Sequence, residues 1–148
     1  MGQQQLFLVI LLMVLVGIAT VLAISVFGTQ SNSMNHDVVR QDLVTISAFV
    51  QSYVHKPLIL GGGGGSFEGL DFSKIDFPAD EVSDDGMHAR NANGVYHIHS
   101  ISTTEVGLWG EPMMEVSGPV DITSLVSDSD YFDLIVTKDD IIWNNTPD

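Results

Sequence analysis

The N-terminal part of the chain is almost uniformly apolar. Residues 6–27 read LFLVILLMVLVGIATVLAISVF, and their only interruptions are Gly17, Thr20 and Ser25. A helix of 22 residues spans about 33 Å, close to the thickness of a bilayer's hydrocarbon core. Because a helix that is apolar on every side has no face to present to water, the pattern predicts a helix surrounded by lipid, by copies of itself, or by each in turn.

From Asp37 onward the apolar positions recur with helical spacing on one face only. The members of this stripe are Val39, Leu43, Ile46, Val50 and Tyr53, with Val38, Phe49 and Val54 beside them. The opposite face carries Arg40, Gln41, Asp42 and Gln51. This spacing predicts an amphipathic helix that packs on a domain and ends before Pro57, since a residue that precedes proline is pushed out of the helical region.

After Pro57 the pattern changes to short apolar segments separated by turns. Five consecutive glycines, Gly61–Gly65, predict a flexible or tightly packed connector, because no phosphate-binding motif accompanies them. Residues 66–94 are rich in turns and contain five apolar anchors: Phe67, Leu70, Phe72, Ile75 and Phe77. Strand-like segments follow at residues 95–102, 105–110, 113–118, 120–126, 131–137 and 141–143. They predict four or five strands in an antiparallel meander.

Together these patterns predict an α+β fold: a long N-terminal helix, apolar in its first half and amphipathic in its second, packed on a small antiparallel β-sheet. We divide the chain into an apolar helix at residues 1–28, an amphipathic continuation at 29–56, and a β-rich head at 57–148 with its glycine-rich connector at 61–65.

The charge distribution separates the head from the helix. The net charge of the chain is −14, and all of it lies in residues 57–148, where 17 acidic side chains face Lys74, Arg90 and Lys138. So acidic a head repels nucleic acid and anionic membranes, and we expect no nucleic-acid partner.

The chain has no cysteine, which excludes disulfides and thiolate metal sites.

Two groups of side chains could bind metal ions. His97 and His99 are predicted to point to the same face of one strand, a spacing that could hold a transition metal. The alternative is that they are two solvent-facing histidines with no metal-binding role. Asp128, Asp130 and Asp133 form a carboxylate cluster suited to calcium, but the segment lacks the glycine and closing glutamate of an EF-hand loop. The alternative for these carboxylates is a solvated acidic surface.

Catalytic motifs are missing from the sequence. It contains no GxSxG segment, no HExxH segment and no cysteine nucleophile. We therefore expect a protein that is not an enzyme and that needs no cofactor.

The layout of the chain resembles the type IV pilin superfamily, whose members join an uncharged N-terminal helix to an amphipathic continuation and an antiparallel sheet. The segments GQQQL, SYVHKPLILGGGGGSF and GVYHI are also similar to a group of uncharacterised bacterial pilin-like proteins. Pilins typically have glutamate at the fifth mature position, thought to pair with a neighbour's terminal amine. If Met1 is the mature N-terminus, that position is Gln5, which can accept a hydrogen bond from such an amine but cannot neutralise it.

The resemblance implies a structural subunit of an extracellular type IV pilus-like filament, a homopolymer held together by its apolar helix. Its partners would be the membrane before assembly and the pilus assembly machinery. The protein would move from the cytoplasmic membrane to a cell-surface filament. The positions expected in the filament core are Met1, Gln5, Leu6, Val9, Leu12, Val16, Gly17, Ala19, Ala23 and Phe27. The alternative is an acidic binding or sensor domain anchored to a membrane by a single span.

Overall fold

A computed structural model describes residues 2–113 and 131–146 of the chain, with backbone alone at residues 28–33. The chain divides into two compact units, Met1–Met34 and Asn35–Asp148. Helix α1, Gly2–His55, contributes to both units.

The first unit consists of the N-terminal part of α1. Within the described residues, Gly2–Phe27 is a helix long and apolar enough to cross a membrane by length and composition. Its large apolar side chains are 52–72% exposed. This segment could therefore anchor the chain in a membrane.

The second unit combines the rest of α1 with a β-sheet. The described residues form six strands: β1 (Glu81–Val82), β2 (His88–Arg90), β3 (Gly94–Ile101), β4 (Glu105–Pro112), β5 (Phe132–Thr137) and β6 (Ile141–Asn145). Each strand pairs with the next in antiparallel orientation, in the order β1-β2-β3-β4-β5-β6. The predicted antiparallel meander is thus confirmed, and so is the α+β fold.

The hydrophobic core lies between α1 and the sheet. All five residues of the predicted helix stripe are buried, and so is Val54, whereas Val38 is exposed. The strands contribute alternate residues, as in β5, where Phe132, Leu134 and Val136 are buried. The five predicted anchors of residues 66–94 close the rest of the core: Phe67, Leu70, Phe72, Ile75 and Phe77. Helical and strand periodicity thus converge on one cluster of side chains.

Two details of the prediction are wrong. Strands β1 and β2 lie in a segment that the pattern predicts to be loop, because strands of two and three residues are too short to show alternation. Asp42 and Gln51 do not simply face solvent. Gln51 Nε2 donates to the carbonyl oxygen of Thr137 at 3.1 Å, and Asp42 binds the β2–β3 connection.

The predicted strands at 113–118 and 120–126 fall almost entirely on residues 114–130, outside the described residues.

Asp42 joins the helix to the sheet through one carboxylate oxygen. Its Oδ2 accepts hydrogen bonds from the hydroxyl of Tyr96 at 2.6 Å, from Nδ2 of Asn93 at 2.8 Å and from Nδ2 of Asn91 at 2.9 Å. Burial raises the pKa of the Asp42 carboxyl, but these three hydrogen bonds more than offset that effect, so its pKa lies below the usual value. Burial and the same carboxylate raise the pKa of Tyr96, which stays a neutral donor.

We expect Asp42→Ala to destabilise the folded chain by about 2 kcal/mol, because it removes three hydrogen bonds to a charged group and leaves the Tyr96 hydroxyl only the longer contact of 3.4 Å with Oδ1 of Asn91. Since the pKa of Asp42 is lower in the folded than in the unfolded state, its contribution is present above pH 3.8 and is lost as the pH falls further. Thermal unfolding of the full chain in detergent, measured by near-ultraviolet circular dichroism against pH, checks both effects. Gln41→Ala, one residue away on the exposed face, is the control. An equal loss in both variants would contradict a specific role for Asp42.

Candidate functional site

The surface of residues 2–27 is the largest candidate site in the described part of the chain. Of the ten positions expected in a filament core, Met1 lies outside the described residues, and the other nine are exposed along the helix. Apart from the neighbouring backbone of its own helix, Gly17 has no atom within 4 Å of the place where a Cβ would stand, so another helix could approach its backbone closely. The arrangement offers a surface that is apolar along most of its length, with three glutamines, Gln3–Gln5, at its N-terminal end.

Within the second unit, the outward face of α1 is also free of charge over three turns. Its exposed residues between Gln41 and Ser52 are Gln41, Val44, Thr45, Ala48 and Ser52. These side chains are small or neutral, although the chain carries a net charge of −14. A neutral face on so acidic a protein is suited to contact with another apolar or neutral surface.

The two histidines predicted as metal ligands have different partners. His97 stacks on His88 of the neighbouring strand with 4.0 Å between ring centroids, and its other side meets the edge of Trp109 at 5.1 Å. His99 occupies a β-bulge, because Ile98 pairs with Leu108 and Ser100 already pairs with Gly107. The His99 ring nitrogen Nε2 lies 3.2 Å from Oδ1 of Asp133.

The surroundings of His97 disfavour a positive charge. Burial lowers its pKa most, and the nearby His88 and His99 lower it further, to about 4 from an ordinary value of 6.5. A backbone hydrogen bond with Met87 and the charge of Asp85 oppose this shift without cancelling it. His97 is therefore a neutral imidazole at physiological pH.

Of the predicted calcium ligands, the described residues include only Asp133; Asp128 and Asp130 lie outside them. One carboxylate oxygen of Asp133 contacts His99, and the other accepts a hydrogen bond from Nδ2 of Asn144 at 3.3 Å. Among the described residues, no group of three histidine or acidic side chains is arranged to hold a metal ion. Neither metal prediction acquires a further ligand there.

The five glycines form a tightly packed connector that returns to the end of α1. Backbone N–H groups of Gly63, Gly64 and Gly65 donate to the carbonyl oxygens of Tyr53, Lys56 and Val54 at 2.8, 3.0 and 2.8 Å. These bonds satisfy carbonyl groups that a helix otherwise leaves without partners at its C-terminus. The packed form of the connector, one of the two predicted, is the one observed.

The connector leaves Leu58, Ile59 and Leu60 pointing into solvent. These residues form a 3₁₀ turn, and their exposed fractions are 74%, 92% and 64%. We call this segment the 58–60 turn. It is the most exposed apolar segment of the second unit within the described residues.

Sequence reasoning did not single out several residues that shape these surfaces. His88 and Trp109 reach His97 through strand register, which depends on how β2 and β4 pair with β3. Arg40 lies 5.2 Å from the centre of the Trp143 ring, a cation–π contact between α1 and β6. The exposed 58–60 turn could have been noticed in the sequence, because three large apolar residues stand there between a proline and the glycines.

Comparison with known protein families, curated proteins and solved structures produced no match to the chain. The resemblance to pilins stays a prediction.

We expect His97 to make the stability of the folded chain pH-dependent between pH 6.5 and about 4. In that window the unfolded chain binds a proton that folded His97 excludes, so stability declines as the pH falls from 6.5 toward 4. His97→Gln should flatten this slope, whereas His55→Gln, at the exposed end of α1, should retain it. Thermal unfolding across the window, with an NMR titration of the His97 ring, provides the measurement. A His97 midpoint near 6.5 would show that its surroundings do not exclude the proton.

We expect Gly63→Ala to destabilise the folded chain by about 2–3 kcal/mol, because the new methyl group would overlap the Ser66 carbonyl oxygen and lie 2.8 Å from the Tyr53 ring. Gly61→Ala is the matched comparison, since its Cβ would meet open space and only the positive φ of 78° opposes it. That strain amounts to about 1 kcal/mol. Denaturant unfolding of the full chain in detergent distinguishes the two variants. Equal losses would mean that the connector is not packed as described.

Proposed function

We propose that the chain is a structural subunit of a pilus-like filament that polymerises through the apolar helix at residues 2–27. The observation that carries the proposal is the exposure of this helix: 26 residues long enough to cross a membrane, with none of the segment buried within the described protein. In the proposal the helix lies first in lipid and then among helices of other copies. The helix can move from lipid to a bundle of helices at small cost in free energy, because lipid tails and apolar side chains are similarly apolar surroundings.

The neutral outward face of α1 between Gln41 and Ser52 supports a polymer over an isolated anchor. A single-span anchor needs an apolar surface only where the helix crosses lipid. Here an exposed face of the helix is also free of charged side chains from Gln41 to Ser52, in a unit that contains many acidic side chains. Packing of α1 against α1 in neighbouring copies would use this neutral face as well as the apolar one.

The composition of the head is consistent with the outer surface of such a polymer. The 17 acidic side chains of residues 57–148 favour contact with water, and their mutual repulsion opposes non-specific aggregation of the heads. A contact that joins different surfaces of successive copies does not close on itself and produces an open helical polymer. In this arrangement Gln5 would accept a hydrogen bond from a neighbouring N-terminal amine.

We expect Val14→Arg to abolish filaments while the chain still inserts in membranes. One arginine at the centre of a span opposes insertion by about 3 kcal/mol, which the remaining apolar side chains outweigh. In a filament core the same change would bury an unpaired cation in every copy. Shearing of cells, sedimentation and negative-stain electron microscopy measure filaments, and carbonate-washed membranes measure insertion.

Two controls accompany this test. Val14→Leu keeps the apolar surface and should form filaments, and Thr103→Arg adds the same charge to an exposed turn of the head and should also form them. Filaments of Val14→Arg at the wild-type yield would contradict the proposed core. Recovery of the wild-type chain only from detergent-solubilised membranes would favour the membrane-anchored binding domain instead.

A further inference from the structure

The 58–60 turn exposes more apolar surface per residue than any other described segment of the second unit. Ile59 is 92% exposed, whereas outside the turn the largest exposed fraction of a large apolar residue described in that unit is 48%, at Ile142. None of its three side chains belongs to the hydrophobic core. Folding alone does not explain three large apolar side chains at this position, because side chains that stay in water contribute little burial free energy.

The backbone holds the turn in one conformation. Leu60 N–H donates to the Pro57 carbonyl oxygen at 3.0 Å, and Gly61 N–H donates to that of Leu58 at 2.9 Å. The glycine connector then closes on α1, and Gly62 and Gly63 are packed so tightly that a Cβ on either would overlap backbone atoms. The three side chains are therefore presented outward on a rigid support, which reduces the entropy lost when they are buried in a contact.

The charge around the turn is opposite to that of the rest of the head. Residues 43–67 contain no acidic side chain, and their charged group is Lys56, directly before Pro57. Residues 68–148 carry 17 acidic side chains. The turn therefore combines an apolar tip with a basic flank, on a chain whose remaining head surface is acidic.

We propose that the 58–60 turn docks on the acidic head of a neighbouring copy of this chain. The inference rests on the proposed function, because it names a second contact within the same polymer. Charge favours this occupant: Lys56 would meet carboxylates that every other copy supplies.

The size of the turn also favours a second copy. Three side chains cover much less than the roughly 800 Å² per partner that a stable binary complex buries. Such a patch would hold a free soluble partner weakly. Copies already joined through residues 2–27 are at high effective concentration, so a small additional contact between their heads can form.

The absence of cysteine from the chain makes a direct test possible. Ile59→Cys introduces a unique thiol in the turn, and Thr103→Cys introduces one in the exposed β3–β4 turn as a matched control. Each variant is labelled with a maleimide before and after assembly of the full chain. We expect assembly to slow labelling of Cys at position 59 about tenfold or more, because a packed contact excludes water and reagent, and to leave position 103 within about twofold.

A benzophenone maleimide at position 59 identifies the surface that covers it. Copies with two different affinity tags are mixed, and cross-linked peptides are mapped by mass spectrometry. Cross-links to residues 57–148 of the other tagged copy support the proposal. Adducts confined to lipid or to other proteins overturn it, and equal protection at positions 59 and 103 also overturns it.

Failure of the contact can be distinguished from failure of the polymer. If filaments form but position 59 labels as fast as in the monomer, the docking proposal is wrong and the polymer stands. If the wild-type chain forms no filaments, the polymer is wrong, and the cross-linking is repeated in membranes. Covalent dimers through position 59 would then support the head contact, and their absence would overturn it.

Discussion

The apolar surface of residues 2–27 is the constraint on which the rest of the chain depends. Every large apolar side chain in this helix is at least half exposed. At about 1.5–3 kcal/mol for each side chain removed from water, the free energy involved is on the order of tens of kcal/mol. A folded domain has a net stability of only about 5–15 kcal/mol. This free energy exceeds the net stability of a folded head, so the helix favours apolar surroundings over water and could anchor the chain in a membrane.

The head faces a different problem, because its many carboxylates have few basic partners. Some of the described carboxylates pair with basic side chains, as Asp71 does with Lys74, but two others, one on α1 and one in the head, are bound by neutral hydrogen-bond donors. Asp42 is bound by Tyr96 and two asparagines, and Asp85 is bound by the Ser83 hydroxyl and the Met87 N–H. Hydrogen bonds of this kind lower the pKa of both carboxyls. The two carboxylates thus stay charged and oriented through neutral donors.

Periodicity in the sequence was enough to predict the helices, the meander and most of the core. The stripe from Val39 to Tyr53 is buried as its spacing requires, because one helix face meets one sheet face. The site was less predictable. The His88–His97 pair depends on strand register, and the place of His99 depends on a bulge, neither of which composition or alternation encodes. Asp42 looked like a solvent-facing residue because its three donors come from positions about 50 residues away along the chain.

The attachment of the sheet to α1 has a mechanical consequence. The buried side chains from Val39 to Val54 extend along about four turns of the helix, with the Asp42 hydrogen bonds near one end and the glycine connector at the other. A force directed along the helix axis would load all of these contacts together, in shear, instead of opening them one after another. The second unit is thus built so that tension carried by its helix is shared across the whole sheet interface.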